Sequence, residues 1–579
     1  MNHENRIREK LYTALLAITA ALLVAFSGVL PGAGLSVSAI EHDTTLTVTG
    51  LDPGDRALFY QFVRWSDKGW CYTDAFTKST ASPPTLAGDS GILKNGITKD
   101  QAGTIASVIL GAANYQAAGN ATADQAGAAS LTVKTDSTGS ALGIYCVIIE
   151  PANSDTIYNP VFVSLDFATA DPNTNTFDVS IPEGQKLGGA YSGTDKVVAK
   201  KEKLSLVKTA DKVSFASGDT ITFTVDTVIP AYTSAYPENR RTFVITDELS
   251  VNDSLQYAID RTAEAFHVTV GTTACTSADY DFECDGTTGW KISFHTAFLD
   301  DRTHWGQPVR VTYQVAVSEN PSHRITRNVE SFVNTVKIGF YNHPKTGEEK
   351  TLQDDTRHCT FGIGGSVEGG TRHHEIVKVE GNNESVSYTQ PGSYTPLEGA
   401  VFEILTAEGR QVMRKDDAGK DVPYTCTTGK DGIFVFTGLD AGKNYIIREQ
   451  SAPTGYVKRN GDITLKFDAS FDSRKPTVVK NDVLRQYVVT VQNKTETVTG
   501  EQGSVSSSVT FLAGSSDAGS TLAPASSSKS DTQANVGNAP GTSLPSTGGI
   551  GTKIFHIVGI AVLLAVPVYL FFRRRRRIS

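Results

Sequence analysis

The chain has 579 residues, with 53 basic and 62 acidic side chains and a formal net charge of −9 at pH 7. An acidic balance argues against nucleic acid as a partner, because nucleic-acid binding depends on clustered Lys and Arg. The length suits about three folded domains between terminal segments.

The first 39 residues have the features of a secretory signal peptide. Basic residues precede the apolar stretch 11–26, and a small-x-small site ends at Ala39. This order predicts export and removal of residues 1–39. An N-terminal membrane anchor is the alternative, and the early Pro31-Gly32 counts against it.

Three domains are predicted between the terminal segments, at 40–194, 195–345 and 346–499. Their short strands are separated by Gly, Asp and Asn, which is typical of antiparallel sandwiches of the immunoglobulin-like class. The predicted fold is therefore mainly β, with tandem β-sandwich domains in an elongated rod. The Ala-rich stretch 97–119 differs, and it predicts a helix within the first domain.

Strand patterns are clearest in the second and third domains. Residues 309–317 alternate apolar and mostly polar side chains, and residues 220–225 do the same after a Gly-Asp turn. Such alternation predicts strands with one buried face. In the third domain the turn Asp431-Gly432 precedes the β-rich run 433–436, another turn-then-strand pattern.

All six cysteines lie in the part predicted to be exported. An even number in an oxidising compartment favours disulfides, and six cysteines allow 15 pairings. Domain order favours a sequential pairing. No CxxC pair is present, which argues against zinc and thioredoxin-like chemistry. We expect no metal site and no cofactor. The predicted disulfides are Cys71–Cys146, Cys275–Cys284 and Cys359–Cys426.

The last 80 residues divide into two segments. Residues 500–543 are rich in Ser, Gly, Ala and Thr, and this composition predicts an unfolded, flexible stalk. The segment 544–579 then contains the motif Leu544-Pro545-Ser546-Thr547-Gly548, the uncharged stretch 554–572 and five arginines, 573–577. The stretch is long enough for a transmembrane helix, and the arginines would remain in the cytoplasm.

This C-terminal arrangement resembles the LPxTG cell-wall sorting signal of sortase substrates in Gram-positive bacteria. The resemblance implies cleavage between Thr547 and Gly548 and transfer of the new acyl group to an amine. The alternative is a single-span membrane protein. Processing at both ends removes nine basic and two acidic residues, leaving 44 basic against 60 acidic side chains, a net charge of −16.

The third domain contains specific motifs. Residues 396–402 resemble the PLxGAxF strand of the collagen-binding B repeats (CnaB type), and residues 445–456 resemble the E-box of Gram-positive pilins. In that family a lysine and an asparagine form an intramolecular isopeptide bond, assisted by an acidic residue. The resemblance implies these roles for Lys378, Asn493 and Glu449.

The chemistry explains why these residue types are required. A lysine is a nucleophile only when neutral, and burial lowers its pKa. A buried carboxyl can remain protonated, polarise the amide carbonyl and transfer protons as ammonia leaves.

The second domain resembles the middle domain of shaft pilins in its Phe243-Val244-Ile245-Thr246-Asp247 strand. The corresponding roles fall on Lys208 and Asn334, with Asp247 as the catalyst. The first domain resembles the N-terminal pilin domain, but we found no convincing lysine–acid–asparagine set there. We therefore expect two isopeptide bonds and no third.

The lysine that accepts the next subunit is less clear from the sequence. Pilin shafts use a lysine between the first and second domains, and here the position favours Lys200. The aromatic residue and the proline of the family motif are missing. Lys201 is the first alternate, and Lys196 and Lys203 also compete.

Together these resemblances imply a structural shaft subunit of a sortase-assembled pilus, not an enzyme. The implied partners are sortase, neighbouring subunits, peptidoglycan and an unknown host-surface ligand, and the implied location is the cell wall and fimbrium. The alternative is a monomeric, wall-anchored adhesin or accessory pilin, which would share every signal except the acceptor lysine.

Overall fold

The computed structural model describes residues 42–66, 69–135, 141–167, 191–192, 196–365, 376–381, 386–389, 394–473, 482–493, 511–513, 522–524, 533–541 and 550–575. The described chain is mainly β, as the strand patterns predict, and its strands form sandwiches in each predicted domain. The predicted signal peptide and the Leu544–Gly548 motif lie outside the described residues.

The first domain combines two sheets with a helical layer. One sheet has the order β10-β1-β5, and the other has the order β3-β2-β6-β8-β9 with β4 beside β2. Its strands are β1 His42–Thr49, β2 Arg56–Ser66, β3 Gly69–Tyr72, β4 Gly119–Thr122, β5 Ala129–Thr135, β6 Gly143–Glu150, β7 Thr156–Tyr158, β8 Val161–Phe167, β9 Tyr191–Ser192, β10 Lys196–Val198 and β11 Lys201–Lys203.

Three helices cover the second of these sheets. They are α1 Asp74–Ser79, α2 Ile92–Asn95 and α3 Lys99–Gly111. α3 confirms the helix predicted within 97–119. It begins with a capping box, in which Thr98 and Gln101 each satisfy a backbone N–H of the other. Its buried Ile105 and Ile109 pack in a core with Phe62 of β2.

The middle domain is a sandwich of two sheets, one with the order β12-β13-β20-β16-β17, with β15 beside β20, and one with the order β18-β19-β14-β21-β22. A short helix, α4 Thr296–Asp300, and 3-10 turns at Glu238–Arg240 and Ala263–Ala265 connect strands. The strands are β12 Val207–Ala210, β13 Asp219–Val228, β14 Phe243–Leu249, β15 Leu255–Ile259, β16 His267–Val270, β17 Thr273–Ala274, β18 Tyr280–Cys284, β19 Gly289–Phe294, β20 Pro308–Glu319, β21 Val329–Phe340 and β22 Lys350–Ile363.

The C-terminal domain is a second sandwich, with sheets β24-β36-β23-β29 and β28-β25-β31-β32-β33. Strands β26 with β27 and β34 with β35 form separate pairs. The strands are β23 Ile376–Glu380, β24 Val386–Thr389, β25 Val401–Thr406, β26 Met413–Lys415, β27 Asp421–Pro423, β28 Thr425–Thr427, β29 Ile433–Phe434, β30 Phe436–Leu439, β31 Asn444–Ser451, β32 Ile463–Asp472, β33 Val483–Asn493, β34 Phe511–Ala513, β35 Leu522–Pro524 and β36 Gln533–Asn538.

The boundary predicted at 345/346 cuts through the middle domain. β22 pairs with β21 along most of its length. Lys350 is opposite Phe340 at one end, and Phe361 is opposite Val329 at the other. The end of β22 also pairs with β30 of the C-terminal domain. Ile363 accordingly belongs to the C-terminal core. β22 therefore connects the two domains, and the boundary lies after it.

The stalk predicted at 500–543 was wrong for its last part. β36 lies between β24 and β23, antiparallel to the former and parallel to the latter. Ala534 and Val536 are buried in the C-terminal core. The composition concealed this strand, because a short alternating segment needs only a few apolar residues when its neighbours supply the rest of the core.

The final helix, α5 Ile550–Arg575, covers the predicted span 554–572. Its side chains are described only for 558–570 and Arg573. Within the residues that the structure describes, no helix meets the length and hydropathy that a membrane crossing requires.

None of the three predicted disulfides is formed, because all six cysteines are free thiols. The strand registers explain why Cys71 and Cys146 cannot form a disulfide. Cys71 pairs with Arg64 on one side of β2, and Cys146 pairs with Tyr60 on the other. Two strand spacings of about 4.8 Å and about four residue rises separate them, beyond the roughly 7 Å that a disulfide can bridge between Cα atoms.

The cysteines of the other two predicted pairs are also free thiols. Cys284 is in β18 of one middle-domain sheet, while the backbone of Cys275 bonds to Val268 of the facing sheet. Cys359 is on β22, where it pairs with Ser331, and Cys426 is on β28, where it pairs with Phe402; both cysteines border the C-terminal core.

Candidate functional sites

Lys208 and Lys378 are the two fully buried lysines among the described residues, each with 0% exposure. Each contacts a carboxylate and lies close to an asparagine. We call Lys208, Asp247, Tyr313 and Asn334 the middle cluster, and Lys378, Glu449 and Asn538 the C-terminal cluster.

The two sheets of the middle domain each contribute to the middle cluster. Lys208 is on β12 of the first sheet, while Asp247 and Asn334 are on the adjacent strands β14 and β21 of the facing sheet. Leu249 pairs with Asn334, so Asp247 is two positions from the paired residue. Period-two alternation therefore places both side chains on the inner face.

A hydrogen-bond network joins the four residues. The Lys208 ammonium Nζ donates to Asp247 Oδ2 and, at 2.8 Å, to the Tyr313 hydroxyl oxygen. That hydroxyl donates to Asp247 Oδ1 at 2.6 Å, and Asn334 Nδ2 donates to it at 2.8 Å. Asn334 Oδ1 is buried and has no hydrogen-bond partner among the described residues. The side-chain amide of Asn334 is therefore held beside the Tyr313 hydroxyl through its nitrogen, while its carbonyl oxygen accepts no hydrogen bond from the described residues.

Aromatic rings surround this network and exclude water. The Lys208 Nζ lies 5.1 Å from the Phe223 ring centroid and 5.4 Å from that of Tyr313. Burial raises the pKa of Asp247, while Lys208, Tyr313 and Asn334 oppose this shift. The raised pKa favours a protonated acid beside an uncharged amine, which is the state in which a lysine is nucleophilic.

The C-terminal cluster distributes its residues differently. Lys378 is on β23, and Asn538 is on its parallel neighbour β36, where Glu380 is the paired residue of Asn538. Glu449 is on β31 of the facing sheet. The lysine and the asparagine thus share one sheet, and the acid approaches from the other.

One carboxylate oxygen contacts both reacting groups in the C-terminal cluster. Glu449 Oε1 lies 3.3 Å from Lys378 Nζ and accepts a hydrogen bond from Asn538 Nδ2 at 3.1 Å. Lys378 Nζ donates to Asn538 Oδ1 and to the Gly537 carbonyl at 3.1 Å. The backbone N–H of Arg459 donates to Glu449 Oε2 at 2.6 Å, which fixes the carboxylate.

Burial lowers the pKa of Lys378 to about 8. Glu449 opposes this shift and the positive charge of Arg459 adds to it. A substantial fraction of the amine is therefore neutral near physiological pH, as nucleophilic attack on an amide requires.

The asparagine predicted for this cluster, Asn493, is not the one beside Lys378. Asn493 ends β33, where it pairs with Ile463 in the opposite sheet from Lys378. Asn538 takes the position instead, from a segment predicted to be unfolded. The signal was the Val536-Gly537-Asn538 sequence, which has the same apolar-x-Asn spacing as Val491-Gln492-Asn493. Sequence alone could not decide between two such segments.

Tyr313 was also missed. Its strand was recognised from the alternation in 309–317, and in that pattern an aromatic residue at an inward position reads as part of the core. Only the approach of β20 to β12, β14 and β21 brings its hydroxyl to the reacting groups.

The candidate acceptor lysines lie at the junction of the first and middle domains. Lys200 is exposed and forms no ion pair among the described residues. Lys201 pairs with Asp52, and Lys203 pairs with Asp155 at 3.2 Å. The side chain of Lys196 lies outside the described part. Of the three described amines, that of Lys200 is therefore the most available.

Two family models match parts of the chain. Residues 386–483 match a prealbumin-like fold domain, SpaA, and residues 538–578 match the LPXTG cell wall anchor motif. These matches confirm the C-terminal sorting signal and the character of the C-terminal domain. No curated protein matches the chain.

Solved structures of pilins match the chain at low sequence identity. The T6 backbone pilin of Streptococcus pyogenes is 15% identical, with a TM-score of 0.49 over 86% of this chain and 98% of that one. The major pilin SpaD of Corynebacterium diphtheriae is 17% identical, with a TM-score of 0.40 over 72% and 89%. BcpA, the major pilin subunit of Bacillus cereus, is 14% identical, with a TM-score of 0.39 over 73% and 94%.

Proposed function

We propose that this chain is a structural shaft subunit of a sortase-assembled pilus, strengthened by internal amide bonds between lysine and asparagine side chains. The observation that carries the proposal is the burial of two lysines, each beside an acid and an asparagine. Burying a lysine away from water is costly, and conversion to an amide removes the charge.

The internal bonds are Lys208–Asn334 and Lys378–Asn538, with Asp247 and Glu449 as their catalysts. They span 126 and 160 residues. The second bond joins parallel strands near the start and the end of the C-terminal domain. A pulling force applied at the sorting signal would then pass to β23 through a covalent bond and would not load the hydrogen bonds between β23 and β36.

Polymerisation requires an electrophile and a nucleophile at opposite ends of the folded part. A sortase would cleave between Thr547 and Gly548 and transfer the Thr547 acyl group to Lys200 of a neighbouring subunit. The exposure of Lys200, together with the ion pairs of Lys201 and Lys203, supports this choice. The last subunit would be attached to peptidoglycan, and the assembled fibre would present an adhesive surface to host or other cells.

A denaturing gel of wall extracts tests the polymer. Wild-type cells should give a ladder of covalent multimers, and Lys200→Ala cells should give monomer only. Lys201→Ala is the matched control, because it removes a neighbouring lysine that is already paired. A wild-type extract without a ladder would instead support a monomeric wall-anchored adhesin, and a ladder that persists in Lys200→Ala would exclude Lys200 as the acceptor.

Mass spectrometry tests the internal bonds separately. Each bond releases one ammonia, so two bonds lower the mass of the chain by about 34 Da. An unshifted mass would contradict the amide bonds even if the ladder were present.

A further inference from the structure

We propose that Tyr313 is a catalytic residue of the middle cluster, whose hydroxyl transfers a proton from the lysine nucleophile to the leaving nitrogen of the asparagine. This inference rests on the proposed function, because it concerns how the Lys208–Asn334 bond forms. The hydroxyl oxygen lies 2.8 Å from both Lys208 Nζ and Asn334 Nδ2. It therefore contacts the atom that attacks and the atom that leaves.

In the C-terminal cluster, a carboxylate oxygen occupies the place that the Tyr313 hydroxyl oxygen has in the middle cluster. There, Glu449 Oε1 lies 3.3 Å from Lys378 Nζ and 3.1 Å from Asn538 Nδ2, so a carboxylate oxygen bridges nucleophile and leaving group. In the middle cluster the acid is an aspartate, which is one methylene shorter. The oxygen that lies 2.8 Å from both nitrogens is that of Tyr313, and the Tyr313 hydroxyl donates to Asp247 Oδ1 at 2.6 Å.

The reaction balances with Tyr313 as a relay. Lys208 first gives one proton to Asp247, and the Nζ lone pair then attacks Asn334 Cγ, forming the new C–N bond and an oxyanion. In this tetrahedral species Nδ2 gains a lone pair and can accept a proton. The Tyr313 oxygen takes the second proton of Nζ while its own proton moves to Nδ2. The Cγ–Nδ2 bond breaks, the carbonyl re-forms, ammonia leaves and Tyr313 is again neutral.

The position of the hydroxyl is fixed by aromatic packing. The Tyr313 ring stacks on Phe223 and Phe266, each with a centroid separation of 5.4 Å, and meets the edge of Trp290 at 5.1 Å. Burial and the adjacent Asp247 raise the pKa of Tyr313 well above its usual value. The hydroxyl therefore keeps its proton in the resting site and acts as a relay rather than as a phenolate base.

Tyr313→Phe tests the relay, because it keeps the ring and removes only the oxygen. Cells making the full chain are pulsed with heavy lysine, and the labelled Lys208–Asn334 cross-linked peptide is followed by mass spectrometry. We expect its formation to slow on the order of 100-fold, as for loss of a general acid–base group. The Lys378–Asn538 peptide from the same molecules is the internal control and should form at the wild-type rate.

Two further variants separate chemistry from packing. Tyr257→Phe removes another hydroxyl from the same core, one that donates to the Ser250 carbonyl at 3.2 Å, and should not slow the bond. The double variant Asp247→Glu with Tyr313→Phe should form the Lys208–Asn334 bond at least tenfold faster than Tyr313→Phe alone. The longer acid would recreate the geometry of Glu449.

The relay is wrong if Tyr313→Phe forms the bond at the wild-type rate, if Tyr257→Phe slows it equally, or if the double variant is no faster than Tyr313→Phe. Absence of the bond in the wild-type chain would instead contradict the proposed function itself.

Discussion

The middle and C-terminal clusters contain the same nucleophile and electrophile but divide them differently between the sheets of their sandwiches. In the middle domain Lys208 faces Asn334 across the core, so an amide would tie one sheet to the other. In the C-terminal domain Lys378 and Asn538 are on neighbouring parallel strands, so an amide would tie strands within a sheet.

The position of the acid follows from this division. Asp247 shares a sheet with its asparagine, and Glu449 shares a sheet with neither reacting residue. A longer acid approaching from the facing sheet contacts both groups directly, while the shorter acid works together with the Tyr313 hydroxyl. The chemistry therefore constrains the distances among the groups, and the fold can supply those distances from different strands.

The largest expected effect is that of replacing the C-terminal asparagine. Asn538→Ala should abolish the Lys378 cross-linked peptide and lower the free energy of unfolding of this domain by about 4–5 kcal/mol, as loop closure predicts for spans above 100 residues. Peptide mapping and chemical denaturation measure both effects. Asn493→Ala is the matched control and should leave the cross-link intact. Loss of the cross-link in Asn493→Ala alone would contradict the assignment of Asn538.

Removal of the middle acid should break the other bond selectively. Asp247→Asn keeps the side-chain shape but cannot take the lysine proton, so the Lys208–Asn334 peptide should be absent while the C-terminal one forms. We expect a slightly smaller loss in stability, because the closed span of 126 residues is shorter than that of 160. The intact mass should rise by about 17 Da relative to the doubly linked chain, apart from the substitution. Loss of both cross-links would show that the two sites do not form independently.

A smaller effect concerns pH in a chain that lacks the C-terminal bond. The pKa of Lys378 is lowered by burial to about 8, from an ordinary value of 10.5. Between these values the unfolded chain binds more protons than the folded one, so stability should rise with pH, by up to a few kcal/mol from pH 8 to pH 10.5.

Denaturation of Asn538→Ala across this pH range, compared with the wild type, measures the difference. In the wild type Lys378 is part of an amide and does not titrate. The wild-type curve of stability against pH should therefore lack the rise between pH 8 and pH 10.5. Parallel curves of stability against pH for the two proteins would contradict either the burial of a free Lys378 amine in the variant or the Lys378–Asn538 bond in the wild type.

The smallest expected effect is that of the cysteines, because we assign the covalent strengthening of the chain to its two amide bonds. Cys275→Ser with Cys284→Ser should change the free energy of unfolding by less than about 1 kcal/mol, because both are half-buried free thiols. Alkylation of the denatured, unreduced wild type should label all six. Label on four or fewer cysteines would show that disulfides form after all.

Sequence patterns predicted the middle cluster more fully than the C-terminal one. The resemblance to the middle domain of shaft pilins implied Lys208, Asp247 and Asn334, and the structure brings these three side chains to one network around the Tyr313 hydroxyl. The resemblance likewise implied Glu449 through the E-box and Lys378 in the opening strand of the third domain. Asn538 was missed because its strand is short, follows a polar segment and contains glycine.

The amino-acid sequence by itself determined the C-terminal anchor signal and the β character, since both depend on local composition or on spacing along one segment, and its resemblance to pilins supplied the residue types of the proposed chemistry. Only the tertiary structure decided which asparagine meets Lys378 and that Tyr313 joins the middle cluster. The physical reason is that strand order and register bring together residues more than 100 positions apart, and no local pattern specifies which strand becomes the neighbour of which.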